Sequence, residues 1–119
     1  MIEITQQFGF DAAHYLEGAA SDANRRLHGH SFFAEVTLKG KPDPQKGWVR
    51  DFNEVNAALS AIRESLDHQL LNEIAGIGQP TLENLARYIF REAKQSLPEV
   101  SRVKLTRPSV GQSCVYEEG

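Results

Sequence analysis

The chain has 119 residues, 13 basic and 16 acidic side chains, a net charge of −3 and a pI near 5.8. That length suits a single domain, 1–119, with a real core but no room for a second one. The weakly acidic balance gives no reason to expect a nucleic-acid partner. The single cysteine, Cys114, excludes an intrachain disulfide and fits a reducing compartment. Met1-Ile2-Glu3-Ile4 lacks the basic start and apolar run of a signal peptide, and no stretch approaches the roughly 20 apolar residues that span a bilayer. A cytoplasmic protein without a membrane partner is expected.

From Ile2 to His14 the even positions read Ile2, Ile4, Gln6, Phe8, Phe10, Ala12 and His14, against Glu3, Thr5, Gln7, Gly9, Asp11 and Ala13. Period two predicts a half-buried strand with His14 on its apolar parity. Leu16 to Arg26, with Gly18, Ser21, Asp22 and Asn24, reads as a loop. A second alternation sets His28, His30, Phe32, Ala34, Val36 and Leu38 against Ser31, Glu35, Thr37 and Lys39. Two long strands joined by a loop without helical pattern favour antiparallel pairing.

The stretch from Gly40 to Gly47 holds two prolines and two glycines and predicts a turn. Helical spacing follows in Phe52, Val55, Leu59, Ile62 and Leu66, and Asp51 with Glu54 resembles a capping box. Thr81 can cap a second helix with the stripe Leu82, Leu85, Ala86, Ile89, Phe90, Ala93 and Leu97, which Pro98 stops. Short alternating runs near Val100–Thr106 and Ser113–Glu117 predict two closing strands. The order β-β-α-α-β-β predicts an α+β domain: a four-stranded antiparallel sheet with two helices on one face, inserted between the strand pairs.

The chain has four histidines, and three fall on the apolar faces of these strands, at one end. His28 and His30 share a face with Cα atoms roughly 6.6 Å apart along the strand, and His14 ends the neighbouring strand. Three neutral imidazoles suit zinc, bound at about 2.0–2.1 Å, and leave its fourth position open, the mark of a catalytic rather than structural site. Iron and copper are compatible with the same donors. The fourth histidine, His68, follows Asp67 at the end of the first helix. A neighbouring carboxylate can orient an imidazole for proton transfer, but adjacent helical residues do not face each other, so that pairing requires a turn. Asp51 and Glu83 read as helix-start carboxylates, Trp48 and Phe52 as core residues, and Cys114 as a small packing residue.

The sequence resembles the family of 6-pyruvoyltetrahydropterin and 6-carboxytetrahydropterin synthases. The resemblance rests on Phe10-Asp11-Ala12-Ala13-His14, Leu27-His28-Gly29-His30-Ser31-Phe32, Gly47-Trp48-Val49-Arg50-Asp51-Phe52, Leu66-Asp67-His68 with Leu71-Asn72, and Pro80-Thr81 with Glu83-Asn84-Leu85-Ala86. It implies the tunnelling fold, a trimeric barrel of joined sheets stacked into a homohexamer. It further implies zinc on His14, His28 and His30, and a catalytic Asp67–His68 pair. The shorter bacterial members resemble the queuosine-pathway enzyme, which converts 7,8-dihydroneopterin triphosphate to 6-carboxytetrahydropterin. Two positions depart from the family pattern. Asn24 stands where a cysteine base is usual, leaving Asp22 or Glu17 as replacements. Thr106, followed by Arg107, is the best match to the glutamate that anchors the pterin. A diverged enzyme with another pterin-like substrate, or a non-catalytic zinc- or pterin-binding paralogue, are the alternatives.

Overall fold

A computed structural model describes residues 1–118. Strand β1 (Ile2–His14) is followed by a one-turn helix α1 (Asp22–Arg25), β2 (His28–Gly40), α2 (Phe52–Leu66), α3 (Leu82–Ser96), β3 (Val100–Arg107) and β4 (Gln112–Glu117). The sheet order is β1-β2-β3-β4 with every pair antiparallel. The expected α+β arrangement is therefore present, with α2 and α3 inserted between the two hairpins. The first connection departs from a plain loop only at α1, where the Ser21 hydroxyl accepts from Asn24 N at 3.2 Å. Gly111 (φ 64°) supplies the left-handed residue that the β3–β4 turn requires.

Strand alternation and helical spacing meet in one core. Phe10, Ala12, Phe32, Ala34, Val36, Leu38, Val103 and Leu105 bury one sheet face against Val55, Leu59, Ile62 and Leu66 of α2 and the apolar stripe of α3. Each large side chain fully withdrawn from water contributes about 1.5–3 kcal/mol. The opposite face carries Thr5, Glu35, Thr37, Arg102, Lys104, Val115 and Glu117. Thr37 is buried there all the same, and its hydroxyl is satisfied by that of Thr5 at 2.9 Å across the strands.

Phe52 and Trp48 are not core residues: 51% and 44% of their surface is exposed. Phe52 opens α2, and helical side chains lean toward the N-terminus. It therefore stays outside the buried stripe, which begins at Val55. In the preceding loop Lys46 lies over the Trp48 ring, 5.9 Å from its centroid. The capping box is only half made. Asp51 accepts from Asn53 N at 2.9 Å, while Glu54 turns to Arg50 at 2.8 Å.

Phe32 is 1% exposed and stacks on Phe10 with ring centroids 5.1 Å apart. Phe32→Ala should cost about 3–5 kcal/mol, the usual penalty for emptying a buried aromatic site, read as a lower midpoint in urea unfolding.

Candidate metal centre and proton-transfer pair

The β1–β2 register sets His14 opposite His28 and Ala12 opposite His30. The three rings meet with centroids 4.6, 5.1 and 4.9 Å apart, and one nitrogen from each lies within 4.8 Å of the others. His14 is fully buried and His28 and His30 half-buried. His14 Nδ1 donates to the Pro80 carbonyl at 2.9 Å, and His28 Nδ1 donates to the Arg26 carbonyl at 2.7 Å. A carbonyl can only accept, so both Nδ1 atoms carry the proton and both Nε2 atoms present lone pairs. Those two lone-pair nitrogens face each other 3.1 Å apart. Bare, the contact is repulsive. Two tetrahedral ligands at about 2.05 Å from one ion would sit roughly 3.3 Å apart. Carbonyls that fix the tautomer from behind are the usual support of metal-bound histidines. The donor set therefore fits a divalent ion such as zinc.

The second pair is built by a backbone device. Asp67 ends α2, and His68 is the one non-glycine residue of positive φ (59°) among the described residues. That left-handed turn, uncommon for a residue with a Cβ, folds the ring back so that Nδ1 donates to Asp67 Oδ2 at 2.9 Å. The requirement for a turn is met. Asp67 is fixed in turn by Asp11 N at 2.9 Å, and Arg63 lies 3.4 Å from Oδ2. The Asp11 amide first, then His68, hold its carboxyl below the usual carboxylate range. The His68 amide donates to the Asp11 carbonyl at 2.6 Å, and Ala13 N donates to Gln69 O at 3.0 Å, so this segment lies along the free edge of β1. His68 and His30 both line an open groove of about 650 Å³ with Asp11, Ser31, Gln69 and Ser109.

The remaining candidates are not gathered there. Asn24 is exposed on α1, its carbonyl accepting from Leu16 N at 2.9 Å. Asp22 is paired with Arg25, and Glu17 is exposed. None of the three lines the groove. Thr106 pairs with Phe33 and Ser113, on the parity opposite to the core residues Val103 and Leu105. Arg107 takes the core parity instead and lies near enough to disfavour the charged forms of His14 and His30. This role for Arg107 was readable from the alternation Val103, Leu105, Arg107. Of the groove residues, Asp11 and Ser31 lie within the motifs of the family resemblance without a role read for them, and Ser109 carried no sequence signal.

Burial lowers the pKa of His14, and burial with the Arg107 charge brings that of His30 to about 4. The folded chain thus resists protons that the unfolded chain accepts below the ordinary value of 6.5. Stability linked to these groups is intact above that value and is lost as pH falls toward 4. The metal-stripped protein should show a falling urea midpoint across that window, and His30→Gln should lessen the fall. Identical profiles for the two proteins would contradict the assignment.

The sequence pattern of a family described as 6-pyruvoyl tetrahydropterin synthase matches residues 3–119. The 6-carboxy-5,6,7,8-tetrahydropterin synthase of Synechocystis sp. is 35% identical over 98 residues, covering 78% of this chain and 75% of that protein. The Haemophilus influenzae protein of the same name is 27% identical over 143 residues, covering 99% of this chain and all of its own. Among solved structures, the 6-pyruvoyl tetrahydropterin synthase of Caenorhabditis elegans superposes with a TM-score of 0.85 at 24% identity, covering 99% of this chain and 96% of that one. Sequence and fold agree from end to end, and the chain belongs to the 6-pyruvoyl tetrahydropterin synthase family.

Proposed function

We propose that the protein is a zinc-dependent lyase acting on a pterin triphosphate, 7,8-dihydroneopterin triphosphate, to give 6-carboxy-5,6,7,8-tetrahydropterin, a queuosine precursor. The observation that carries the reading is the pair of lone-pair nitrogens on His14 and His28, held 3.1 Å apart by their carbonyl partners. The names of the bacterial relatives, 6-carboxy-5,6,7,8-tetrahydropterin synthase, support the product. His14, His28 and His30 would hold the ion, and bound zinc would polarise hydroxyl oxygens of the substrate side chain and lower their pKa.

The chain's own contribution is proton transfer. Asp67 engages His68 Nδ1, leaving Nε2 free to take a proton and return it. The His68 side chain is 79% exposed, so a ligand in the groove can reach it. Asn24, an amide, cannot serve as a base at neutral pH, and His68 is left as the principal proton carrier. Thr106 and Arg107, in place of an anchoring glutamate, favour a second reading: a relative that takes a different pterin-like ligand, or holds it without turnover. Assembly into a homohexamer is supported by the uncovered sheet face and by Phe33, Val115 and Ile2, each close to half exposed. A cytoplasmic location completes the reading.

Zinc-loaded protein should convert 7,8-dihydroneopterin triphosphate, and His68→Ala should slow it about 10²–10⁴-fold, the usual worth of a general acid–base group, with zinc content unchanged. His28→Ala and His30→Ala should lose zinc by elemental analysis. Absence of product from the zinc-loaded wild type would overturn the substrate assignment. Equal metal in the histidine variants would overturn the centre.

Asn24→Cys should raise the rate if the missing base limits it, and a rate indifferent to the change would place that role elsewhere. Light scattering should give a mass near six chains of 13.3 kDa. A monomer at micromolar concentration would exclude the assembly.

A further inference from the structure

Arg107 closes β3 on the parity of Val103 and Leu105, one residue past Thr106, which pairs with Phe33; the ring of the preceding Phe32 lies 6.1 and 5.8 Å from those of His14 and His30. One guanidinium nitrogen donates to Gln112 Oε1 at 2.8 Å. Its Nε is buried and has no acceptor among the described residues. No carboxylate there lies within ion-pair distance of it; Glu83, in the first turn of α3, acts on its charge only from farther away. Arginine stays charged under these conditions. A buried, unfilled N–H on a cation calls for an explanation, and a missing acceptor is the simplest one. The surroundings sharpen the point: three neutral imidazoles bring no compensating charge, and a divalent ion among them adds two more positive charges. A site so charged is stabilised by an anion with oxygens on the metal side and the arginine side.

We propose that Arg107 is a specificity-determining residue that binds an oxyanion of the ligand, a carboxylate or a phosphate, beside the histidine cluster. The inference rests on the metal reading of the three histidines. It deepens the substrate assignment by requiring an acidic group at this end of the ligand. The residue on the parity of the core side is basic, and Thr106 is on the other, so the donor-rich edge of a pterin has no acceptor at this position. The planar guanidinium fork matches the spacing of two oxygens on one carboxylate or phosphate, and its Nε is the donor still unused.

Calorimetric titration of the full chain, as purified and after zinc loading, tests this with three probes: tripolyphosphate, glycolate and uncharged 7,8-dihydroneopterin. At least one anion should bind the wild type, about tenfold or more weaker in Arg107→Gln, the usual loss for a charge-assisted hydrogen bond. Arg107→Lys should retain much of the binding. Dihydroneopterin affinity and zinc content should be the same in all three proteins. Preference for tripolyphosphate or glycolate identifies the oxyanion as phosphate or carboxylate. Equal anion affinity in wild type and Arg107→Gln, or no anion binding to the wild type, overturns the proposal. Turnover of 7,8-dihydroneopterin triphosphate in parallel separates the two readings. A KM indifferent to Arg107→Gln removes the arginine and keeps the lyase, whereas arginine-dependent anion binding without turnover does the reverse.

Discussion

Antiparallel pairing of β1 with β2 in one register, His14 against His28, turns histidines 14 residues apart in the chain into neighbours. Side chains alternate faces, so a slip of one residue would move His14 to the solvent side and carry Phe10 and Ala12 with it. The same apolar residues that bury the hairpin against α2 and α3 therefore hold the three histidines in place. Core and site are one constraint: no rearrangement can release the histidines without exposing Phe10 and Phe32, which are 3% and 1% exposed.

The second support of the centre comes from loops. Pro80 lies just before the Thr81 cap of α3, and Arg26 just after α1; each contributes a backbone carbonyl to a histidine Nδ1. The two connections thus set the tautomers as well as joining elements. A buried imidazole with a backbone acceptor on one nitrogen has one lone pair left, and its direction is decided before any ion arrives. Such preorganisation lowers what binding must spend on ordering the ligands.

Much of this was legible in the chain itself. The period-two runs predicted both long strands and put His14, His28 and His30 on apolar faces, because burial on one side of a sheet leaves that mark. The helices α2 and α3 followed from their spacing for the same reason. Other features depend on contacts between distant segments. Nothing local in Leu66-Asp67-His68 reveals a left-handed His68, which is held by the Asp11 carbonyl 57 residues upstream. Phe52 fits a helical stripe by spacing and is exposed only because α2 begins there. Arg107 and Thr106 are separated by parity alone: the alternation Val103, Leu105, Arg107 puts Arg107 on the core side of β3, and Thr106, matched to the family glutamate by order along the chain, on the other.

The segment that carries Asp67 and His68 also has a mechanical effect on the sheet. It occupies the outward backbone groups of Asp11 and Ala13, and Arg63 donates to the Gly9 carbonyl at 2.8 Å. On the same strand, Glu3, Thr5 and Gln7 lie farther along the same edge, past the stretch that this segment covers. An edge strand sealed over one half and open over the other can accept a further strand only along the open half. The left-handed turn at His68 thereby also limits where along β1 a further strand could pair.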